Sequence, residues 1–286
     1  MSTDVRLHPG SPDHASTRQA ALVAWLAERG RVAIGYSGGV DSAYLAVVAR
    51  QTLGADAVLA IIGRSASYPA EQWATARRVA DDFDVPVLEL DTDELADPRY
   101  AANPSNRCYF CKTELWSKLV PLARARGFDT VVDGTNADDL GDHRPGARAA
   151  HEHAIVSPLA ELGFTKLEIR DCSRTLGIPT WEQPSSPCLS SRLPYGTSVT
   201  AERLGQVERA ERALRALGVV GDLRVRYHDD LARIELSTSS LEHWLQPANA
   251  AQLRAAMIAS GFLRTALDLR GFRSGSLNVL HGVSAA

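Results

Sequence analysis

Three short stretches hold the residue types that do chemistry. "YSGGVDSAYL", Tyr36–Leu45, sets two glycines among hydroxyl and acidic side chains. "NRCYFCKTELW" carries Cys108 and Cys111 at C-x-x-C spacing. "SSPCLSSRLPYGTSVT" carries Cys188, with Arg192 four residues on. A glycine pair lets the backbone approach a ligand closely. If a helix starts there, its free N–H groups and positive dipole end suit an anion. Ser37 and Ser42 can add hydroxyl donors. Asp41 has the wrong sign to touch phosphate, so it is expected to hold Mg2+ or to orient a neighbour. The plainer reading is a glycine turn with a Ser/Asp cap.

The glycine stretch lacks the Gly-Lys-Ser/Thr ending of an ordinary nucleotide P-loop. It also lacks G-x-G-x-x-G, which argues against a dinucleotide fold. The C-x-x-C pair fits a redox couple, half a zinc site or two unrelated thiols. Cys188 stands in a Pro/Ser-rich stretch, a poor place for a core residue. Thiolate chemistry there needs a nearby cation, and Arg192 is the candidate by sequence. Cys172 falls on a helical apolar face with Ile169 and Leu176 and reads as core packing. In "DGTNADDLGDHRPGARAA", Asp133, Asn136, Asp138 and Asp139 follow an apolar run. Acids at a strand end can hold nucleotide-bound Mg2+, with Asp138 the choice here, and Arg144 can face an anion. A solvated Asx turn is the alternative.

The elements that must carry these residues alternate. "RVAIGY" is strand-like, "DSAYLAVVARQTLG" is helical and closes on glycine, and "AVLAII" is a continuous apolar run. "PAEQWATARRVADDF" reads as a helix, and "VPVLEL" and "TVVDG" as strands. Alternation of this kind predicts a parallel sheet covered on both faces. "TKLEIRDCSRTLG" opens with a capping box, Thr165 with Glu168. "IPTWEQPSSPCLSSRLPYGTS" reads as a long loop or linker. Beyond it, "TAERLGQVERAERALRALG" is amphipathic, with Leu204, Val207, Leu214 and Leu217 on one stripe. "LRVRYH" and "ARIELS" alternate around Asp229-Asp230, the pattern of a hairpin. Another helix and a last strand follow. The expected domains are a flexible N-terminus (1–16), an α/β doubly wound parallel-sheet domain (17–190) and a small α+β domain (191–286).

Composition narrows the function classes. The 286 residues are 45% hydrophobic and 23% charged, ordinary globular values. A formal net charge of −3 gives no global basic footprint for nucleic acid. No apolar run reaches the ~20 residues of a membrane span. The polar N-terminus lacks a secretory pattern, so a cytoplasmic protein without membrane partners is expected. The four cysteines in such a chain do not suggest a disulfide framework.

Ser37-Gly38-Gly39-Val40-Asp41-Ser42 resembles the SGGxDS loop of the PP-loop ATP pyrophosphatases. Together with the two cysteine stretches and the Asp133–Ala150 stretch, it resembles the LarE-type sulfur transferases over residues about 20–275. The resemblance implies an enzyme that uses ATP and Mg2+ to adenylylate a carboxylate of a pyridinium dicarboxylate mononucleotide and then inserts sulfur, releasing AMP and pyrophosphate. Ser37 to Ser42 would hold the departing pyrophosphate. Gly35 to Ser37 and "GRSASY" would line the adenosine side. Cys188 would supply sulfur, becoming dehydroalanine in the sacrificial version. Cys108, Cys111 and Cys188 would instead bind a [4Fe–4S] cluster with one open iron in the other version, and zinc at the pair is a third. Arg224 and Arg226, two apart on one strand, match an R-x-R stretch linked to the substrate phosphate. A solvated face is the default for these arginines, for Arg233 and for Glu235. Glu208, Glu211 and Glu235 are candidates for an acidic metal site. The family precedent implies a homo-oligomer, a hexamer. The rivals are a tRNA thiolase, an ammonia-dependent PP-loop synthetase and a nucleotide-binding regulatory module.

Overall fold

The structure, a computed structural model, describes residues 12–141, 145–184 and 187–273. The elements run α1 (Pro12–Arg29), β1 (Val32–Gly35), α2 (Val40–Leu53), β2 (Val58–Arg64), α3 (Ala70–Asp82) and β3 (Val87–Asp91). They continue with α4 (Pro98–Ala101), α5 (Arg107–Arg124), β4 (Thr130–Val132), α6 (Pro145–Glu152), α7 (Pro158–Glu161) and α8 (Lys166–Thr175). After two single turns come α9 (Ala201–Ala216), β5 (Leu223–His228), β6 (Leu231–Leu236), α10 (Thr238–Trp244), α11 (Pro247–Ala259) and β7 (Arg264–Leu267).

Two compact units divide these elements. One takes Met1–Ser65, Ala70–Thr92 and Cys108–Ser185; the other takes Ala66–Pro69, Asp93–Arg107 and Ser186–Ala286. The second unit therefore borrows two segments from the N-terminal half, a division that a linear reading at residue 190 does not contain.

The first unit is built on a parallel sheet of order β3-β2-β1-β4. Val32, Ala33, Ile34, Ala60, Ile61, Ile62, Val131 and Val132 are buried, as strands covered on both faces require. Chain order goes outward from β1 to β3, then returns to place β4 on the other side of β1. The order reverses between β1 and β4, and the ends of these two neighbours face a crevice where ligands of such sheets collect. The loop after β1 begins at Tyr36 and the acidic stretch after β4 begins at Asp133, so the topology brings together two stretches about a hundred residues apart in sequence.

The second unit holds the sheet β5-β6-β7, with β5 and β6 antiparallel and β6 and β7 parallel. Asp229, at φ 55°, makes the hairpin turn with Asp230. On α9 the buried stripe is Leu204, Val207, Ala210 and Leu214. Leu217 lies beyond the helix end and is exposed, so the stripe ends at Leu214, and Ala210 belongs to it. The short helix α10 (Thr238–Trp244) was not anticipated; it buries Trp244. α1 begins at Pro12, inside the stretch expected to be a flexible lead-in.

Candidate active site

The glycine loop closes on itself. The Ser37 N–H donates to Ser42 Oγ at 3.2 Å, the two seryl oxygens are 3.1 Å apart, and Ser42 Oγ donates to the Gly39 carbonyl at 3.2 Å. The two hydroxyls thus shape the loop, and the backbone of Gly38, Gly39 and Val40 is left to present N–H groups. Gly39 caps α2, and the Ala43 N–H closes the first helical bond onto its carbonyl. Gly38 has φ +66°, and a Cβ there would fall 2.4 Å from the Cβ of Ala76 on α3. No side chain fits at that position. Gly35 is equally constrained: a Cβ would fall 2.4 Å from the buried Trp116 ring.

Gln72 of α3 holds the loop from outside. Its amide donates to the Ser37 carbonyl at 3.0 Å and accepts from Gln183 at 2.8 Å. Neither glutamine was singled out by sequence, because an isolated Gln on an amphipathic helix carries no signal.

Asp41, in the first turn of α2, touches no backbone anion site. Its Oδ2 lies 2.5 Å from Lys166 Nζ, and its Oδ1 accepts from Asn136 Nδ2 at 3.3 Å. Asn136 comes from the loop after β4, and the Gly134 backbone packs so closely on α2 that a Cβ would lie 2.8 Å from Ser42 N. In the same loop, Asp133 accepts from the Thr135 N–H and hydroxyl and from Ser157 Oγ. That is an Asx turn, the plainer of the two roles considered for it. Asp139 accepts from the Asn136 N–H at 3.2 Å, and Asp138 accepts from the Lys166 N–H at 2.7 Å. Asp138 is exposed and keeps oxygen for a cation. Arg144 lies outside the described residues.

α8 starts with the expected capping box: Thr165 Oγ1 accepts from the Glu168 N–H, and Glu168 accepts from the Thr165 N–H at 2.8 Å. Burial pushes the Glu168 carboxyl up, but the Thr165 N–H and hydroxyl and the Arg18 guanidinium outweigh it, so the carboxyl sits below its ordinary value. Cys172 is buried on this helix as anticipated, and burial pushes its thiol up, away from thiolate.

Cys108 and Cys111 stand one turn apart on α5, the first exposed and the second half-buried. Residues three apart on a helix are neighbours, so the two thiols share a face. They belong to the first unit and Cys188 to the second. Among the described residues, no group of three or more His, Cys, Asp or Glu side chains gathers as a metal site.

In the second unit, Cys188 precedes the single turn Leu189–Arg192. Its sulfur lies 3.1 Å from Ser190 Oγ, which also accepts from the buried Tyr100 hydroxyl at 3.0 Å. The hydrogen bonds of Arg192 go to backbone carbonyls, Ser191 and Glu211, not to the sulfur. Its Nη1 donates to the carbonyl oxygens of Pro187 and Cys188, and its Nε and Nη2 clasp Glu211 at 3.0 and 2.9 Å. The fully buried guanidinium therefore fixes the backbone of the cysteine loop. Arg226 does the same for Ser191, donating to its carbonyl at 3.1 Å.

The expected solvated face of the hairpin is buried. Arg224 and Arg226 are 5% exposed and Glu235 is 1% exposed. Glu235 Oε2 accepts from Arg226 Nε and Nη2, and its Oε1 from Arg233. Glu211 takes Arg192 and the Val225 N–H. Both acids are engaged by the chain's own cations. Glu208 is half-buried on α9. Burial, with the neighbouring charges of Arg192 and Arg226, pulls the Arg224 guanidinium down to about 10. Arg224 and Arg226, on one strand, are thus buried near Arg192, and Arg226 and Arg192 are paired with Glu235 and Glu211.

A glycine loop without lysine, at the reversal point of a parallel sheet, is the PP-loop arrangement, and the NAD synthase family profile matches residues 22–107. Three relatives extend the likeness. An uncharacterized protein of Synechocystis is 47% identical over 90% of this chain and 95% of its own length. The pyridinium-3,5-bisthiocarboxylic acid mononucleotide synthase of Lactiplantibacillus plantarum is 35% identical over 92% of this chain and 94% of its own. A cytoplasmic tRNA 2-thiolation protein of Drosophila mojavensis is 33% identical over 39% of this chain and 36% of its own. The chain belongs to the LarE-type family of PP-loop, ATP-dependent sulfur transferases.

Proposed function

We propose that this enzyme adenylylates a carboxylate of a pyridinium dicarboxylate mononucleotide and converts it to the thiocarboxylate, releasing AMP and pyrophosphate. The observation that carries the reading is the likeness to the mononucleotide synthase, which runs through both the glycine loop and the Cys188 loop. The backbone of Gly38, Gly39 and Val40, at the start of α2, receives the pyrophosphate, and fixed N–H groups stabilise the charge that grows on it. Mg2+ favours carboxylate and phosphate oxygens together. Asp41, which accepts from Lys166 Nζ, and Asp138, which accepts from the Lys166 backbone N–H, would hold the ion beside the phosphates. Arg224 and Arg226 receive the substrate phosphate.

Sulfur has two routes. In one, the Cys188 thiolate attacks the acyl adenylate and expels AMP; loss of the Cα proton then breaks the Cβ–S bond, leaving dehydroalanine and the thiocarboxylate. In the other, Cys108, Cys111 and Cys188 hold an iron–sulfur cluster. The α5 pair suits two of the three ligands, and the cluster would supply an exchangeable sulfide at its open iron. Zinc at Cys108 and Cys111 remains the third use of the pair. Iron and acid-labile sulfide on protein purified without oxygen, beside Cys108→Ala/Cys111→Ala, separate these. About four of each per chain, lost in the variant, support the cluster. No iron in folded protein, with dehydroalanine at position 188 after one turnover, establishes the sacrificial route. Loss of sulfur transfer in neither Cys188→Ala nor the double variant would refute both.

The tRNA 2-thiolation match favours a second reading, with tRNA as the sulfur acceptor. The net charge of −3 weighs against it, and a tRNA shift assay across salt concentrations decides it. A homo-oligomeric, cytoplasmic enzyme completes the proposal. No helix among the described residues is long and apolar enough to cross a membrane, and light scattering reports the subunit number.

A further inference from the structure

The Cys188 loop is held by the two segments that the second unit takes from the N-terminal half of the chain. The Leu189 N–H donates to the Ser67 carbonyl at 2.8 Å, and Ser67 Oγ donates to the buried Glu94 carboxylate. Arg107 Nη1 donates to the Ser190 carbonyl at 3.0 Å. The Ser191 N–H closes the turn onto the Cys188 carbonyl at 3.0 Å. These bonds fix the backbone around position 188. Among the described residues, the sulfur itself meets the Ser190 hydroxyl, with Oγ at 3.1 Å.

Tyr100 decides the direction of that contact. Its hydroxyl, 90 positions away in sequence, donates to Ser190 Oγ at 3.0 Å. A seryl oxygen has one hydrogen to give, and Ser190 is 0% exposed, out of reach of bulk water. With Tyr100 donating to the oxygen, the Ser190 hydrogen turns to the Cys188 sulfur. Tyr100 is itself buried on α4, whose start is pinned by the Asp97 cap. The chain from Tyr100 through Ser190 therefore runs one way, towards the sulfur. Cys172 has the opposite sense: its buried thiol donates, to the Ala15 carbonyl at 3.8 Å.

We infer that Ser190 is a positioning residue for sulfur transfer: Tyr100 orients its hydroxyl, and that hydroxyl donates to the Cys188 sulfur and holds it in one rotamer before the activated substrate arrives. The nucleophile in such chemistry is a thiolate, which only accepts hydrogen bonds, so a donor aimed at it suits it. A cysteine left free samples several staggered χ1 positions, and a misplacement of about 1 Å can cost about a hundredfold in rate. Both hydroxyl hydrogens stay on their oxygens. The sulfur adds to the acyl carbon, the bond from that carbon to the AMP oxygen breaks, and AMP leaves with the electron pair. The inference rests on the sulfur-transfer reading above.

The test uses the full-length protein in a single turnover with ATP and the pyridinium dicarboxylate mononucleotide, following pyrophosphate release and thiocarboxylate formation separately. Ser190→Ala should slow thiocarboxylate formation at least about tenfold and leave pyrophosphate release within about twofold. Tyr100→Phe, which keeps the ring, should slow the same step at least about threefold. Crystal structures of unliganded wild type and Ser190→Ala give a readout apart from activity: one Cys188 χ1 rotamer in the wild type, and a changed or divided one in the variant. Equal thiocarboxylate rates in wild type and Ser190→Ala would overturn the assignment while leaving the sulfur-transfer reading intact, as would an unchanged rotamer in the variant. A parallel loss of pyrophosphate release and thiocarboxylate would also overturn it, reducing the chain of hydroxyls to a prop of the fold. Wild-type protein that releases pyrophosphate and forms no thiocarboxylate would overturn the sulfur-transfer reading and this assignment with it.

Discussion

Replacing Gly38 by alanine tests whether the glycine loop is shaped as described. The residue sits at φ +66°, and the added Cβ would lie 2.4 Å from Ala76 Cβ and 2.7 Å from Ala76 Cα. The left-handed conformation costs a non-glycine residue about 1–2 kcal/mol. Overpacking against a backbone that cannot swing aside adds about 1–3 kcal/mol. The sum is about 2–5 kcal/mol, and the strain can be relieved only by pushing the loop off α3, which would also break the Gln72 bond to the Ser37 carbonyl. Gly39→Ala is the internal control. Its φ is −73°, and its added Cβ would meet only Ser37 Oγ, at an ordinary 3.6 Å. Urea unfolding of both variants, with pyrophosphate titration, gives the comparison. Gly38→Ala should lower the midpoint clearly and weaken pyrophosphate binding; Gly39→Ala should stay within about 1 kcal/mol of wild type. Equal stability of the two variants would refute the reasoning.

Glu235→Gln should destabilise the second unit by about 3–5 kcal/mol, because it removes the carboxylate charge that balances the buried Arg226 and pairs with Arg233; faster hydrogen exchange in β5 and β6 would report it. Cys188→Ala should abolish sulfur transfer yet still release pyrophosphate once from ATP and substrate, whereas Cys172→Ser should leave transfer nearly unchanged; product analysis by mass spectrometry checks both. The Arg270 hydrogen bonds hold the Asp268 carboxyl down to about 2, against the opposing effect of burial. A carboxyl depressed on folding contributes stability above its ordinary value near 3.9 and loses it as pH falls towards 2. Wild-type stability should therefore fall more steeply than that of Asp268→Asn between about pH 4 and pH 2 in acid-unfolding curves.

Local chemistry was legible wherever one residue type does one job at short range. The glycine pair, the capping box of Thr165 and Glu168, the Asp229-Asp230 turn and the buried Cys172 all follow from φ preference, hydrogen bonding or apolar spacing over a few residues. Strand and helix alternation likewise led to the parallel sheet. Periodicity misplaced Leu217 because helix geometry says nothing about where the helix stops being covered.

What the linear chain could not show is which charges face each other. The pairing of Asp41 with Lys166 and Asn136 depends on β4 lying beside β1, which brings the starts of α2 and α8 and the loop after β4 together. Arg192 looked like the cation for the Cys188 thiol from its nearness in sequence, but its guanidinium holds the loop's carbonyl oxygens and Glu211. The hairpin's charged face looked solvated because alternation predicts two faces and not what covers them; Arg224, Arg226 and Glu235 are buried and Arg233 half-buried. Sequence by itself determined the elements and the reactive groups, because those depend on neighbours within a turn or a strand. Only the tertiary structure decided the partners of each charge, because an electrostatic contact is set by distance in space and by burial.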